Sequence, residues 1–233
     1  MHIKYKVVGD KALLIEFENR IAKEINNEVR KMYLAINNKE IYGVEELIPA
    51  YCSILLIYSP LKITKNKLVE ELDDLKNNLK EKEIKKPDII EIPTAYGGEY
   101  GPDLEFVAEY NDLSIEEVIE IHSERKYLVY MLGFTPGFPY LGGMSEKIAT
   151  PRLKEPREKI KKGSVGIAGS QTGIYPIASP GGWRLIGRTP IELFDPFRES
   201  PFLVKAGDYI KFKEISKKEF KKIKNEEGHK CKK

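Results

Sequence analysis

Three runs of sequence, GFTPGFPYLGGM (133–144), GSVGIAGSQTGIYP (163–176) and SPGGWRLIGRTP (179–190), decide the fold of this chain. Gly133 to Pro190 holds 11 of the 18 glycines and 7 of the 14 prolines. A disordered linker can share that composition. The interleaved residues exclude it: Phe134, Phe138, Tyr140, Val165, Ile167, Ile174, Tyr175, Trp183, Leu185 and Ile186 are too apolar for a solvated coil. Gly supplies positive φ and Pro fixes φ, so the mixture predicts tight turns joining short strands. The same stretch carries nine Lys and Arg against three Glu, although the whole chain is only +3. Four of the eight arginines fall here, in a chain that otherwise prefers Lys. An Arg fork pairs bidentately with carboxylate or phosphate, so the stretch reads as a shaped, basic surface on a β scaffold.

Upstream, residues 3–8 and 12–17 read as strands about a Gly9-Asp10 turn. Ile21, Ile25, Val29, Met32, Tyr33 and Ile36 then take helical spacing, VEELIPAY and Ser53–Ser59 return to β pattern, and Leu68, Leu72, Leu75 and Leu79 line a second helix behind Thr64. Residues 1–86 are therefore expected to form a ferredoxin-like α/β sandwich. A break is expected within Glu81–Ile89, where charge is dense and Pro87 interrupts local structure. From residue 87 to 216, short strands with little helix predict a closed β-barrel, so the fold class is α+β. Ser114-x-x-Glu117 is a capping box heading the helix SIEEVIEIHS. Residues 217–233 read as a basic, solvated tail.

Bulk properties narrow the function. Hydrophobic content of 41% and charged content of 32% describe a soluble globular protein, and no basic stripe with interleaved aromatics points to nucleic acid. No apolar run reaches the ~18 residues of a membrane span, and the expected location is cytoplasmic. Cys52 and Cys231 make neither a disulfide framework nor a metal motif, and His122 is the only histidine outside the termini, so no metal site is expected. His122 has two readings: a half-buried residue charged by the helix C-terminus, or a catalytic proton donor or substrate clamp beside the following strand. Phosphate-loop, dinucleotide and nucleophile-elbow motifs are absent, and Ser170 has no neighbouring base. Gln171, Thr172, Tyr175, Arg184 and Arg188 form a candidate polar clamp. Glu99 and Asp103 share a loop of their own, either as base or Arg partners or as ordinary surface.

The strings PTAYGGEYGPDL, EVIEIHS, VYMLGFTPGFPYLGGM, TPR, GSVGIAGSQTGIYPIASPGGWRLIGRTP and LFDP, in this order, closely resemble one family. It is the B subunit of the ATP-dependent 5-oxoprolinase, also called allophanate hydrolase subunit 1, to which the kinase inhibitor KipI belongs. The resemblance is dense from about Pro93 to Pro196. It implies a cyclophilin-like barrel and the cleavage of 5-oxo-L-proline to L-glutamate, in company with the enzyme's A subunit, which would carry phosphorylation, plus its KipA-like C subunit. ATP would be used by the assembled complex, no cofactor would be bound by this chain, and the chain alone would be inactive. The resulting substrate or partner cleft comprises Glu99, Phe134, Pro136, Phe138, Arg152, Gln171, Thr172, Tyr175, Arg184 and Arg188. The rival class is a KipI-like inhibitor of a sensor histidine kinase; prolyl isomerase activity would rest on fold analogy alone.

Overall fold

A computed structural model describes residues 3–79 and 87–230. The chain divides into two compact units, Met1–Pro87 and Asp88–Lys233. The break expected within Glu81–Ile89 falls largely on residues outside the described ones.

In the first unit, β1 (Lys4–Val8), β2 (Ala12–Glu16), β3 (Val44–Pro49) and β4 (Ser53–Tyr58) form an antiparallel sheet in the order β1-β2-β4-β3. Helix α1 (Lys23–Lys39) follows β2, and α2 (Lys65–Asn77) follows β4. Period-2 alternation buries Leu13 and Ile15 on β2 and Ile54, Leu56 and Tyr58 on β4. Against them pack Ile25, Val29, Met32 and Ile36 of α1, spaced four, three and four apart, with Leu68 and Leu72 of α2. Thr64 caps α2 by accepting a hydrogen bond from Lys67 N at 3.3 Å. The chain order is ββαββα, not the βαββαβ of a ferredoxin-like domain. The sandwich of two helices on four strands is present, but its first strand precedes the first helical crossover as an added edge. Strand periodicity reports that a segment is β, not where it enters the sheet.

The second unit is built on a closed seven-strand barrel, an architecture that fits the expected cyclophilin-like fold. Its elements are β5 (Ile89–Tyr96), α3 (Leu104–Tyr110), α4 (Ile115–Glu124), β6 (Lys126–Leu132), β7 (Pro139–Gly142), β8 (Arg157–Ile160), β9 (Ser164–Ala168), β10 (Gln171–Ile174), β11 (Ser179–Gly181), β12 (Arg184–Arg188), β13 (Tyr209–Glu214) and α5 (Lys217–Lys230). The barrel runs β10-β7-β6-β13-β5-β12-β9 and closes through the β9–β10 hairpin. β8 and β11 stand apart as a two-stranded ribbon. Inside lie Ile92, Val129, Leu141, Val165, Ile167, Ile174, Ile186, Ile210 and Phe212. Gly142 is required where β7 crosses β6, because a Cβ there would fall inside the Tyr130 ring.

Three local expectations need correction. Among the described residues the unit carries more helix than the little expected, with α3 and α5 beside the expected α4; α4 begins at the capping box, where Ser114 Oγ accepts from Glu117 N and Ser114 N donates to Glu117 Oε2. The runs IELFD and FLV contribute only an isolated bridge between Phe194 and Phe202, since Pro190, Pro196 and Pro201 cannot sustain ladders. The basic tail is helical over Lys217–Lys230. Ser216 and Glu219 exchange hydrogen bonds at its start (2.8 and 3.2 Å), and Phe220 is buried against Tyr100 with ring centroids 4.5 Å apart. The Lys-rich composition masked a second capping box.

Candidate functional site

The loop 133–138, β7, the segment 152–156, Tyr175 and the residues Gly181–Trp183 line a cleft of about 350 Å³. Phe138 is the hub of its aromatic wall. Its ring meets Tyr140, Tyr175, Trp183 and Phe134 edge to face, at centroid distances of 5.0, 5.2, 5.4 and 5.6 Å. Each such pair adds about 0.5–1.5 kcal/mol beyond burial, so the wall is stiff. Small residues make room for it: a side chain at Gly173 would press on Phe138 and Trp183 at 3.0 Å. Burial pushes the Tyr175 hydroxyl up to about 12, and it raises that of Tyr140, so both stay neutral donors near pH 7. Phe134, at the mouth, is 62% exposed and sits in the left-handed region at φ 61°. For a bulky non-glycine residue that conformation costs about 1–2 kcal/mol.

Arg152 and Lys154 line the same cleft. Neither has a hydrogen bond or ion pair among the described residues, and no carboxylate lines the cleft. The other arginines between Gly133 and Phe202 are engaged. Arg157 donates to Asp103 at 2.8 Å, Arg184 Nε to Pro151 O at 3.3 Å, Arg188 Nε to Lys162 O at 2.9 Å, and Arg198 pairs with Asp195 at 3.2 Å. Two unengaged cations beside a flat, neutral aromatic wall suit an anion with a flat apolar body. No group of three His, Cys, Asp or Glu side chains able to hold a metal occurs among the described residues.

His122 lies elsewhere, sealed in the barrel unit at 0% exposure. Its Nδ1 is 2.8 Å from Tyr96 Oη and its Nε2 is 2.9 Å from Thr172 Oγ1. Thr172 Oγ1 donates its own proton to Gly166 O at 3.0 Å, so it accepts from Nε2–H. The relay therefore runs Tyr96 O–H to Nδ1, then Nε2–H to Thr172, then Thr172 to the Gly166 carbonyl. Burial alone lowers the His122 pKa from 6.5 to about 3, so the ring is neutral. Both sequence readings of His122 are corrected. It is not charged by the helix end, and with both nitrogens engaged and no solvent access it has no proton to give a substrate. Its ring packs on Phe212 and Tyr127 at 4.4 and 5.4 Å, as a polar staple of the core.

Among the remaining candidates, Phe134, Phe138, Arg152 and Tyr175 come together at the cleft, and the others do not. Thr172 points into the barrel as the partner of His122. Gln171 opens β10 and is half-buried outside the cleft lining, and Pro136 is exposed on the loop 133–138. Arg184 stacks on Phe106 with its guanidinium carbon 3.7 Å from the ring centroid. Arg188 lies toward Phe220 on α5; burial lowers its pKa, opposed by nearby Tyr100 and exposed Glu99. The polar clamp is thus dispersed: Gln171 and Thr172 are adjacent on β10 and face opposite sides, and a register shift in β12 between Leu185 and Gly187 separates Arg184 from Arg188. Asp103 is buried, not on a surface loop. One oxygen holds Arg157, and the other accepts from Leu185 N at 2.6 Å. Sequence reasoning missed Tyr140 and Trp183 as site residues, although their signal was present in GFPYLGG and PGGW, and it missed Lys154, which follows Arg152 by two residues in PRLKEP.

Residues 3–204 match the family "Carboxyltransferase domain, subdomain C and D". The chain is 45% identical to the 5-oxoprolinase B subunit of Bacillus subtilis, over 97% of its own length and 99% of that protein. Among solved structures, it is 53% identical to PH0987 from Pyrococcus horikoshii, with a TM-score of 0.57 over 93% of this chain and 100% of that one. It is 34% identical to TTHA0988, with a TM-score of 0.79; the match covers 88% of this chain but only 40% of that longer one. Identity that covers nearly the whole of the Bacillus protein, together with the family match across both units, settles the relationship: this chain belongs to the 5-oxoprolinase B-subunit family.

Proposed function

We propose that this chain is the B subunit of an ATP-dependent 5-oxoprolinase, which with its A and C subunits opens 5-oxo-L-proline to L-glutamate. The observation that carries the reading is the aromatic cleft with Arg152 and Lys154 unengaged and no carboxylate in its lining. The substrate is a flat five-membered lactam bearing one carboxylate. Its ring would lie against the partly buried Tyr140 and Trp183, backed by Phe138, and its carboxylate would be held by Arg152 and Lys154. Tyr140 and Tyr175, kept neutral by burial, can donate hydrogen bonds but cannot act as bases near pH 7.

The cleft binds and orients, and lacks a nucleophile or base of its own. Activation of the lactam and attack by water would therefore come from groups on the partner subunits, and the chain alone would be inactive. The sequence has no phosphate loop, which fits ATP use elsewhere in the complex. Nothing in the cleft favours the kinase-inhibitor alternative. The test is ATP-dependent glutamate formation from 5-oxo-L-proline by the chain alone, then with the C subunit, then with the A and C subunits together. Turnover only in the full mixture, lost in Arg152→Met with binding of the partners intact, is the expected result. Turnover by the isolated chain, or none in the full mixture, overturns the proposal.

A further inference from the structure

Phe197 is 96% exposed, although the loop that carries it is firmly built. Asp195 N donates to Pro201 O at 2.9 Å and Phe197 N donates to Asp195 Oδ1 at 3.0 Å. Arg198 is tied to Asp195 and to the Glu192 carbonyl, and Phe194 and Phe202 close the loop base by stacking at 5.3 Å. A surface loop has no internal use for a benzyl group held in water, and ordering the loop around it costs conformational entropy. The turn 133–138 abuts this loop: a Cβ at Gly137 would meet Phe194 Cβ at 3.0 Å and Phe202 Cδ1 at 3.4 Å. That turn carries Phe134, exposed and left-handed, and exposed Pro136. Two adjoining loops thus present Phe134, Pro136, Phe197 and the half-exposed Phe202 as apolar surface, with ion pairs at Glu192 and Asp195 beside them. An apolar centre with a charged rim is the anatomy of a protein interface.

We propose that this patch is the seat of the second chain required by the B-subunit reading, on which the inference rests. Its occupant is a separate chain equivalent to the part of TTHA0988 that lies beyond the 40% matched here. In that longer protein, the region resembling this chain and the remainder are covalently joined, which keeps them at high effective concentration. Two separate chains need a non-covalent contact instead. Phe134 names the place, because it belongs both to the patch and to the cleft wall. A chain seated on Phe197 and Phe134 roofs the cleft, excludes water from it and brings its own groups to the bound lactam.

The experiment titrates the purified C subunit of the same organism into the full chain by calorimetry and light scattering. The variants are Phe197→Ser, Phe134→Ser with Phe197→Ser, and the control Leu61→Ser, which is 99% exposed in the first unit. Circular dichroism and Trp183 fluorescence confirm that each variant is folded. Phe197→Ser should weaken the complex about tenfold, the double variant further, and Leu61→Ser not at all. With the C subunit saturating, in the presence of ATP and the A subunit, Phe197→Ser should regain wild-type turnover, because Phe197 does not line the cleft. Undiminished binding by the double variant overturns the patch and leaves the family reading intact. A wild-type chain that fails to bind the C subunit overturns both. Self-association lost in Phe197→Ser, with affinity for the C subunit untouched, assigns the patch to a second copy and overturns the proposal.

Discussion

His122 makes the stability of the barrel unit depend on pH in a way that can be measured. In the folded protein its pKa is about 3, while the unfolded chain restores 6.5. A depressed folded pKa stabilises the protein above the unfolded value, and that stabilisation is lost as pH falls toward the folded value. Between the two values the unfolded state binds a proton that the folded state refuses, at about 1.4 kcal/mol per pH unit. Moving from pH 7 to pH 5 should therefore remove about 2 kcal/mol of stability through this residue alone. The assay is urea denaturation followed by Trp183, the sole tryptophan, which reports on the barrel unit. Carboxylates also titrate, so the quantity of interest is the difference between the wild type and His122→Gln. Gln cannot titrate but can still donate and accept. The variant should be less stable at pH 7 and should lose less on going to pH 5. Parallel stability profiles for the two proteins would refute the neutral, sealed histidine.

Asp103→Ala should destabilise the protein by about 2–3 kcal/mol in denaturant titration, because Arg157 and Leu185 N lose their shared acceptor and Arg157 is partly solvated. Arg184→Lys should cost about 1 kcal/mol of stability through the lost stack on Phe106, while KM for 5-oxo-L-proline in the assembled complex stays unchanged. Arg152→Lys should instead raise that KM about tenfold with little change in melting temperature, since its fork is unengaged in the folded chain. Gly142→Ala should cost about 3 kcal/mol or prevent folding, read by circular dichroism, because the new methyl falls inside the Tyr130 ring.

What was legible in the sequence was local. The apolar stripe from Ile25 to Ile36 became α1, the Ser114 box became the start of α4, and the Gly- and Pro-rich runs became short barrel strands. Each signal acts within a few residues, where sterics and capping bonds decide. Barrel closure was legible only as a class, because it depends on β13 lying parallel to β5, a pairing that no periodicity encodes. The site divided in the same way. Phe138 and Tyr175 were visible as aromatics among glycines, and both reach the cleft. His122 and Thr172 were misplaced because composition cannot tell a polar pair that satisfies itself in the core from one facing a ligand. Arg184 was misread for a similar reason: Phe106 and Asp103, far away in sequence, decide what its fork does.

The position of β13 also bears on how the protein is made. It is the last strand among the described residues, and it fills the gap between β5 and β6, pairing with both. On the ribosome, the first unit emerges complete, with every strand of its sheet near in sequence, and can fold while synthesis continues. The barrel cannot follow it strand by strand. Until Tyr209–Glu214 leaves the exit tunnel, β5 and β6 are open edges whose unpaired backbone invites pairing with another nascent chain. A transcript broken between Leu132 and Tyr209 thus yields a sticky product and not a merely shortened one.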